Sequence, residues 1–301
     1  MKTPDVLVLG AGGILGEAWT SGLLAGLGES DGFDARECDA YVGTSAGSIV
    51  AALLCAGVDP ASRLGDLPEP PPVEPEEEPR FGPLARALRL GASAGTVVTG
   101  PMASIFLRTS VPGGRVLRRV ALGRVPRGQL SLDELGAEVE RNGAEWDGRL
   151  QIAVVELESG RRVMLDGSQP ISVPDAVQAS CAIPGVFQPL SVDGSSYVDG
   201  GAWSTTNLDT APVGKATEVL CLNPTGALGA RRAGLLSLLG PISRSQVAIE
   251  AAALRQRGAR VRVVVPDGGS VAAMGPNLMR RRPRPQVIAA AVAQGRRLAR
   301  P

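Results

Sequence analysis

The sequence contains no histidine. This absence excludes a Ser-His-Asp triad, an HExxH zinc site and an imidazole general base, because each of these requires the imidazole ring. Any general base must therefore be a carboxylate, a lysine, a cysteine, a tyrosine or the amino terminus. Lys2 and Lys215 are the only lysines, and neither lies in a recognisable motif.

Long apolar runs and closely paired cysteines are also lacking. No stretch reaches the roughly 18 apolar residues that a membrane span requires. The apolar run over 6–15 is short, with little basic charge before it and no small-residue cleavage pattern, so it predicts a buried strand and loop rather than a signal peptide. The chain has four cysteines, Cys38, Cys55, Cys181 and Cys221, and no CxxC pair. This spacing predicts free thiols in a reducing compartment. We therefore expect a cytoplasmic protein.

The overall composition is that of a globular protein with unevenly placed charge. Of the 301 residues, 44% are apolar, so a sizeable core can be buried. The net charge of +1 gives no reason to expect a nucleic-acid partner. Eleven arginines and a single acid, Asp267, lie between 255 and 301. This basic region is either a solvated surface and tail or a face for peripheral contact with anionic lipid headgroups. The oligomeric state stays open.

Buried strands alternate with helices at the start of the chain. A strand over 5–9 leads through a glycine-rich turn over 10–16 into a helix over 17–27. A strand over 39–42 then leads through a turn over 43–47 into a helix over 46–56. This alternation predicts an α/β fold of three layers (α/β/α), with a mainly parallel central sheet between the helices.

The rest of the chain predicts further elements of both kinds. Helices are predicted over 132–142, 173–181, 241–257 and 286–298. Strands are predicted over 150–157, 161–165, 196–198, 218–222 and 261–265, the first two forming a hairpin at Ser159-Gly160. The run over 67–80, rich in proline and glutamate, predicts an extended surface loop, and 81–110 predicts either a helical lid or an ordinary helical insertion. We expect a catalytic domain over 1–215 with 67–120 inserted, and a segment over 216–301 that packs on the same domain and ends in a basic tail.

The residues Gly43-Thr44-Ser45-Ala46-Gly47 form a GxSxG pattern. Between a buried strand and an apolar helix, the serine lies on a sharp turn that exposes its hydroxyl, and the start of the helix favours developing negative charge. Gly43 and Gly47 suit the strained, tightly packed backbone of such a turn. Ser45 is therefore the candidate nucleophile, and the alternative is a structural turn with Ser45 as a helix N-cap.

The segment from Gly10 to Gly16 reads GAGGILG. Its glycines leave backbone N–H groups free to point at an anion, either a nucleotide phosphate or the oxyanion of an acyl-transfer intermediate. The segment does not meet the GxGxxG fingerprint, because Leu15 stands at the third glycine, and it lacks the Gly-Lys-Ser/Thr of a Walker A loop. A plain turn and a phosphate- or nucleotide-binding module remain the alternatives.

Asp199 follows a short predicted strand and precedes Gly200 and Gly201. A carboxylate on a glycine turn can approach another turn closely. In a chain without histidine, this position makes Asp199 the leading candidate for the base that activates Ser45. The alternative is an ordinary loop.

In this order, the glycine-rich loop, the GxSxG pattern and the Asp-Gly-Gly turn resemble the patatin-like phospholipase family. The segments over 179–187 and 197–201, with Asn207 and Ala211-Pro212 after them, also resemble the family. The resemblance covers roughly residues 5–213.

The resemblance implies a patatin-like fold and a Ser45–Asp199 dyad that hydrolyses fatty-acyl esters or phospholipids through an acyl-enzyme. It implies an oxyanion hole formed by the N–H groups of Gly12, Gly13 and Ala46, and neither a metal nor an organic cofactor. The family's loop reads Gly-Gly-Gly-x-Arg/Lys-Gly, whereas here Ala11 replaces the first glycine and Leu15 the basic residue. The missing basic residue motivates a further alternative, a catalytically impaired relative that only binds lipid.

Overall fold

The structure is a computed structural model that describes residues 1–65, 119, 122–125, 128–227, 239–275 and 277–300. The predicted surface loop over 67–80 and the predicted helical segment over 81–110 lie outside the described residues. None of the described helices is both long enough and apolar enough to cross a membrane.

The elements defined within the described residues are eight strands, seven α-helices and four short 3₁₀ helices. The strands are β1 (Val6–Leu9), β2 (Ala40–Thr44), β3 (Leu150–Glu156), β4 (Arg162–Leu165), β5 (Leu190–Val192), β6 (Ser195–Asp199), β7 (Glu218–Leu222) and β8 (Arg260–Val264). The helices are α1 (Gly13–Gly28), α2 (Ala46–Cys55), α3 (Asp133–Arg141), α4 (Val173–Cys181), α5 (Leu239–Gln256), α6 (Gly268–Met274) and α7 (Arg284–Ala299).

The strands form one mixed sheet. They pair in the order β5-β6-β3-β2-β1-β7-β8, and β4 also pairs with β3. The run from β3 through β2, β1 and β7 to β8 is parallel. The strands β4, β5 and β6 pair antiparallel. The predicted α/β fold with a mainly parallel sheet is confirmed, whereas β5 is not predicted, because three residues are too few for a periodic pattern.

β1 is buried on both faces of the sheet. Leu7 and Leu9 belong to a core formed with α1, α2, α4 and α7. Val6 and Val8 point to the opposite face and belong to a core formed with α5. This alternation follows from the two-residue period of a strand. Helices therefore cover both faces, which gives the predicted three layers.

α7 lies directly against α1. A Cβ atom at Gly26 would be 2.3 Å from the Val292 carbonyl oxygen, and one at Gly22 would be 2.9 Å from the Ile288 carbonyl oxygen. Only glycine allows two helix backbones to approach so closely. The C-terminal part of the chain is thereby fixed beside the helix that follows the glycine-rich loop.

The first helix begins earlier than the sequence predicts. The predicted bounds are 17–27, whereas α1 already begins at Gly13. The N–H of Leu15, in the first turn, donates to the Leu278 carbonyl at 2.9 Å, and the N–H of Gly16 donates to the Gly12 carbonyl at 2.9 Å. These hydrogen bonds offset the low helix propensity of glycine. The predicted turn over 10–16 is therefore wrong beyond residue 12.

Candidate active site

Ser45 lies on the sharp turn between β2 and α2. Its φ of 53° and ψ of −124° fall in a strained region for a residue with a side chain. The turn packs so tightly that a Cβ atom at Gly47 would be 2.0 Å from the Leu9 carbonyl oxygen, and one at Gly43 would be 2.5 Å from Ser48 Cα. The Ser45 side chain makes no cap hydrogen bond to α2, in contrast to the N-cap alternative.

Asp199 lies at the end of β6 and is 1% exposed. Ser45 Oγ donates to its Oδ2 at 2.7 Å, and the Gly201 N–H donates to its Oδ1 at 2.7 Å. Gly200 leaves room for the turn, because a Cβ atom there would be 2.3 Å from the Ala153 carbonyl oxygen. The two candidate residues, 154 positions apart in the sequence, are thus in direct contact.

The register of β3 explains how the two residues meet. β2 ends where Thr44 pairs with Ala153, and β6 ends where Asp199 pairs with Val154, the next residue of β3. β4 pairs with both of these β3 residues and occupies the other edge, so β2 and β6 share one edge. Because β2 runs parallel and β6 antiparallel to β3, the two strands point towards each other and their carboxyl ends meet.

Ser180, near the end of α4, forms a hydrogen bond with the backbone of Ser45. Its Oγ accepts the N–H of Ser45 at 2.8 Å and donates to the Ala153 carbonyl at 2.8 Å. The Asp199 N–H donates to the Ala182 carbonyl at 3.0 Å, so the same segment also fixes the carboxylate. Sequence reasoning used this segment for the family resemblance and did not single out Ser180.

Burial dominates the electrostatics of the site. It raises the pKa of Asp199 to about 6, although the hydrogen bonds from Ser45 and Gly201 act in the opposite direction. Burial also raises the pKa of the Cys181 thiol, whose Sγ lies 4.0 Å from Ser48 Oγ. Cys181 therefore stays a neutral and weakly nucleophilic thiol at physiological pH.

Two helix N-termini point into the site. Gly12 is the N-cap of α1, and Gly13 has a φ of +60°. Within the described part of the chain, the N–H groups of Gly12, Gly13, Ile14 and Ala46 have no acceptor. Gly13, Ile14 and Ala46 line the cleft beside Ser45, whereas Gly12 packs against Pro224 and is not part of the lining. Ile14 is a lining residue that the sequence does not predict.

The two residues that depart from the family's loop, Ala11 and Leu15, lie in different surroundings. Ala11 is buried, lies outside the left-handed region, and donates its N–H to the Thr205 carbonyl at 2.7 Å. The side chain of Leu15 is fully buried in the core beside α1 and does not face the cleft. The loop therefore presents backbone donors without a basic side chain.

The cleft that contains Ser45 has a volume of about 1120 Å³. Its large apolar lining residues are Ile14, Ile49, Leu132, Leu135, Ile183, Phe187 and Met279, and its charged lining consists of Glu17, Arg63, Asp133, Glu134, Glu138, Arg141, Arg281 and Arg284. Glu17 is buried and forms ion pairs with Arg63, at 3.3 Å, and with Arg284, at 3.1 Å. The described residues contain no group of three or more acids or cysteines placed to hold a metal ion. The lining joins an apolar surface to charged groups beside Ser45.

Comparison with known proteins connects this site to a family. A sequence model described as Patatin, patatin-like phospholipase, matches residues 7–212. Among curated proteins, none matches the chain.

Several solved structures also match. VipD from Legionella pneumophila matches with 14% identity and a TM-score of 0.36, over 97% of this chain and 67% of VipD. A chain of the heterodimeric ExoU–SpcU complex from the type III secretion system of Pseudomonas aeruginosa matches with 21% identity and a TM-score of 0.36, over 99% and 52%. The type III effector protein ExoU matches with 16% identity and a TM-score of 0.37, over 98% and 53%. The chain thus spans about half the length of these last two proteins.

Proposed function

The chain belongs to the patatin-like phospholipase family, and we propose that it is a serine hydrolase that cleaves fatty-acyl esters or phospholipids through a Ser45–Asp199 dyad. Membership of the family supports a lipid hydrolase. The observation that carries the finer proposal is the hydrogen bond of 2.7 Å from Ser45 Oγ to Asp199 Oδ2, at two buried side chains that line or adjoin one cleft.

In the first half of the reaction, Ser45 Oγ attacks the acyl carbonyl while its proton passes to Asp199 Oδ2. A pKa of about 6 leaves Asp199 ionised at neutral pH and makes it a stronger base than an exposed carboxylate. The tetrahedral intermediate then collapses, and the bond to the alcohol breaks as Asp199 returns the proton to the leaving oxygen. The acyl group remains as an ester of Ser45.

The negative charge of the tetrahedral intermediate requires donors fixed in advance. The N–H groups of Gly13 and Ala46 lie at the N-termini of α1 and α2, and no described residue accepts either of them. Backbone donors and two helix dipoles would stabilise the oxyanion without the basic residue that Leu15 replaces. Gly12, which packs behind the cleft, would contribute through the conformation of the loop.

In the second half of the reaction, water attacks the acyl ester of Ser45. Asp199 takes a proton from the water and then returns it to Ser45 Oγ as the intermediate collapses. The products are the free fatty acid and the restored hydroxyl. Neither half requires a metal or an organic cofactor.

The lining of the cleft favours an amphiphilic substrate. The apolar side chains, with Phe187 and Ile183 among them, would contact an acyl chain, and the charged groups would contact a polar headgroup. Arg281 and Arg284 belong to the basic C-terminal region and line this cleft. We therefore propose peripheral contact with an anionic lipid surface on that side of the cleft.

Labelling with a fluorophosphonate, followed by mass mapping of the adduct, tests the proposal directly. We expect one adduct at Ser45, none in Ser45→Ala, and hydrolysis of a short p-nitrophenyl ester by the wild-type protein only. Hydrolysis that persists in purified Ser45→Ala would contradict the dyad. The absence of a basic side chain at Leu15 favours one second candidate, a lipid-binding relative without activity, which would bind liposomes and take no label.

A further inference from the structure

Glu250 is a buried carboxylate on α5 that the proposed mechanism does not use. It is 8% exposed, and no described arginine or lysine forms an ion pair with it. Its Oε1 accepts from Ser204 Oγ at 2.7 Å, and its Oε2 accepts from Thr206 Oγ1 at 3.0 Å and from the Leu208 N–H at 3.0 Å. A buried charge without an ionic partner is retained only where its hydrogen bonds offset the loss of hydration.

The direction of two of these hydrogen bonds, those from Ser204 and Leu208, is fixed by the segment itself. Ser204 Oγ accepts the N–H of Thr206 at 3.3 Å and the N–H of Asn207 at 3.0 Å. Because both lone pairs of this oxygen are occupied, its proton must point to Glu250. The Leu208 N–H likewise requires an acceptor. Ser204 and the Leu208 N–H can thus only donate to Glu250, and the Thr206 hydroxyl donates as well when the carboxylate is ionised.

The same segment contacts both halves of the candidate active site. The Thr205 carbonyl accepts the N–H of Ala11, in the glycine-rich loop, at 2.7 Å. Asn207 Nδ2 donates to Thr44 Oγ1 at 3.1 Å, one residue before Ser45. Asn207 also has a φ of 48°, a left-handed conformation that its surroundings must hold in place.

We propose that the Glu250 carboxylate is a positioning residue, which holds the segment 204–208 and through it aligns the glycine-rich loop and the turn of Ser45. This role rests on the proposed hydrolase function. Protonation of Glu250 would replace charge-assisted hydrogen bonds by weaker neutral ones and would force the Thr206 hydroxyl to turn. The alignment of the site would therefore depend on the ionisation of a group that never touches the substrate.

The surroundings of Glu250 place this ionisation near neutral pH. Burial raises its pKa to about 7, with a further contribution from Asp209. Asp209 itself forms an ion pair with Arg162 of β4. Cys221, on β7, also faces Glu250, and burial raises the pKa of its thiol, so that it stays neutral. Activity should then depend on two carboxylates, Asp199 near pH 6 and Glu250 near pH 7.

The test is Glu250→Gln, which keeps the shape of the side chain. Its amide has one acceptor oxygen, so in either orientation the Leu208 N–H or the Ser204 hydroxyl faces an NH₂ group. We expect kcat on a p-nitrophenyl ester at pH 8.5 to fall about 10- to 100-fold, with KM little changed, because small misplacements of catalytic groups have effects of this size. The acid limb of the profile of kcat/KM should lose its upper ionisation and keep the lower one.

Val247→Ala is the matched control, since Val247 lies one turn earlier on α5 and is buried in the core at 2% exposure. It should lower the melting temperature and leave kcat and the acid limb unchanged. A folded Glu250→Gln protein with the kcat and acid limb of the wild type would overturn the proposal. A folded wild-type protein that hydrolyses no ester would instead contradict the proposed function.

If Glu250→Gln does not fold, a second variant tests whether Glu250 is a positioning residue. Thr206→Val keeps the shape of a fully buried side chain but removes one donor to the carboxylate. Loss of a donor raises the pKa of Glu250, so the upper ionisation of kcat/KM should move to higher pH. An acid limb identical to that of the wild type in this variant would also overturn the proposal.

Discussion

Ser180 Oγ accepts the N–H of Ser45 at 2.8 Å while it donates to the Ala153 carbonyl at 2.8 Å. All three residues are buried, so a single hydroxyl in the protein interior joins the turn of Ser45 to β3. The backbone of Ser45, strained at a φ of 53°, is thereby fixed from outside its own turn.

Ser180→Ala should therefore weaken both activity and stability. The substitution leaves the buried Ser45 N–H without a partner, at a cost of about 1–3 kcal/mol, and removes one hydrogen bond from the Ala153 carbonyl. We expect a lower free energy of unfolding in urea and a kcat reduced about 10-fold or more. Ser168→Ala is the control, because Ser168 is exposed and bonds only within its own turn. Equal kcat values for the two variants would show that the bond is not needed.

Substitution of either member of the proposed dyad should abolish hydrolysis to a similar extent. Ser45→Ala removes the attacking oxygen, and Asp199→Asn removes the base while preserving an acceptor for the Gly201 N–H. Each should lower kcat on a p-nitrophenyl ester to near the background rate. Because the two groups act as a unit, the double variant should be no slower than either single variant. A double variant whose losses multiply would indicate that the two residues act independently.

The pKa of Asp199 also predicts a trade between activity and stability. Its folded value of about 6 lies above its ordinary value of 3.8, so between these pH values the folded state binds more protons than the unfolded state. Stability contributed by this group is therefore highest below pH 4 and falls as the pH rises to about 6. At pH 8 the buried charge costs on the order of 3 kcal/mol.

Asp199→Asn should accordingly be inactive yet more stable than the wild type at pH 8. The difference in the free energy of unfolding, measured in urea, should shrink as the pH falls and vanish near pH 4. Glu250 contributes the same pH dependence to both proteins and cancels from the comparison. A variant that is less stable than the wild type at pH 8 would contradict the raised pKa.

Local patterns were sufficient to predict the candidate residues but not their arrangement. The strand and helix on either side of Ser45 are apolar and lie directly beside the turn, so the sharp turn between them follows from sequence. Asp199 was reached by exclusion, since the chain has no histidine. Its contact with Ser45 depends on where β2 and β6 pair along β3, and no local pattern fixes that register.

The residues that sequence reasoning missed act across large sequence separations. Ser180, Glu250 and Leu278 each bond a segment far away in the chain, and each is an ordinary residue in its own helix or loop. The early start of α1 has the same origin, because the Leu278 carbonyl caps a glycine-rich turn that local propensity leaves outside the helix. Tertiary contacts thus set the conformation of the glycine-rich loop, whereas the sequence predicted only its position.

Gly13 provides a test of that completed loop. A Cβ atom there would be 2.6 Å from Met279 Sδ and 3.2 Å from the Leu278 carbonyl oxygen, at a φ of +60°. Gly13→Ala should therefore displace the loop and reduce kcat about 100-fold, because the N–H of this residue is a proposed oxyanion donor. Gly32→Ala is the matched control, since Gly32 also has a positive φ, +85°, but nothing lies within 4 Å of the added atom. It should lose about 1 kcal/mol of stability and no activity.

Met279→Ala, added to Gly13→Ala, removes the sulfur from the contact and should restore part of kcat. A double variant no faster than Gly13→Ala would place the defect in the backbone conformation rather than in the packing of the C-terminal segment.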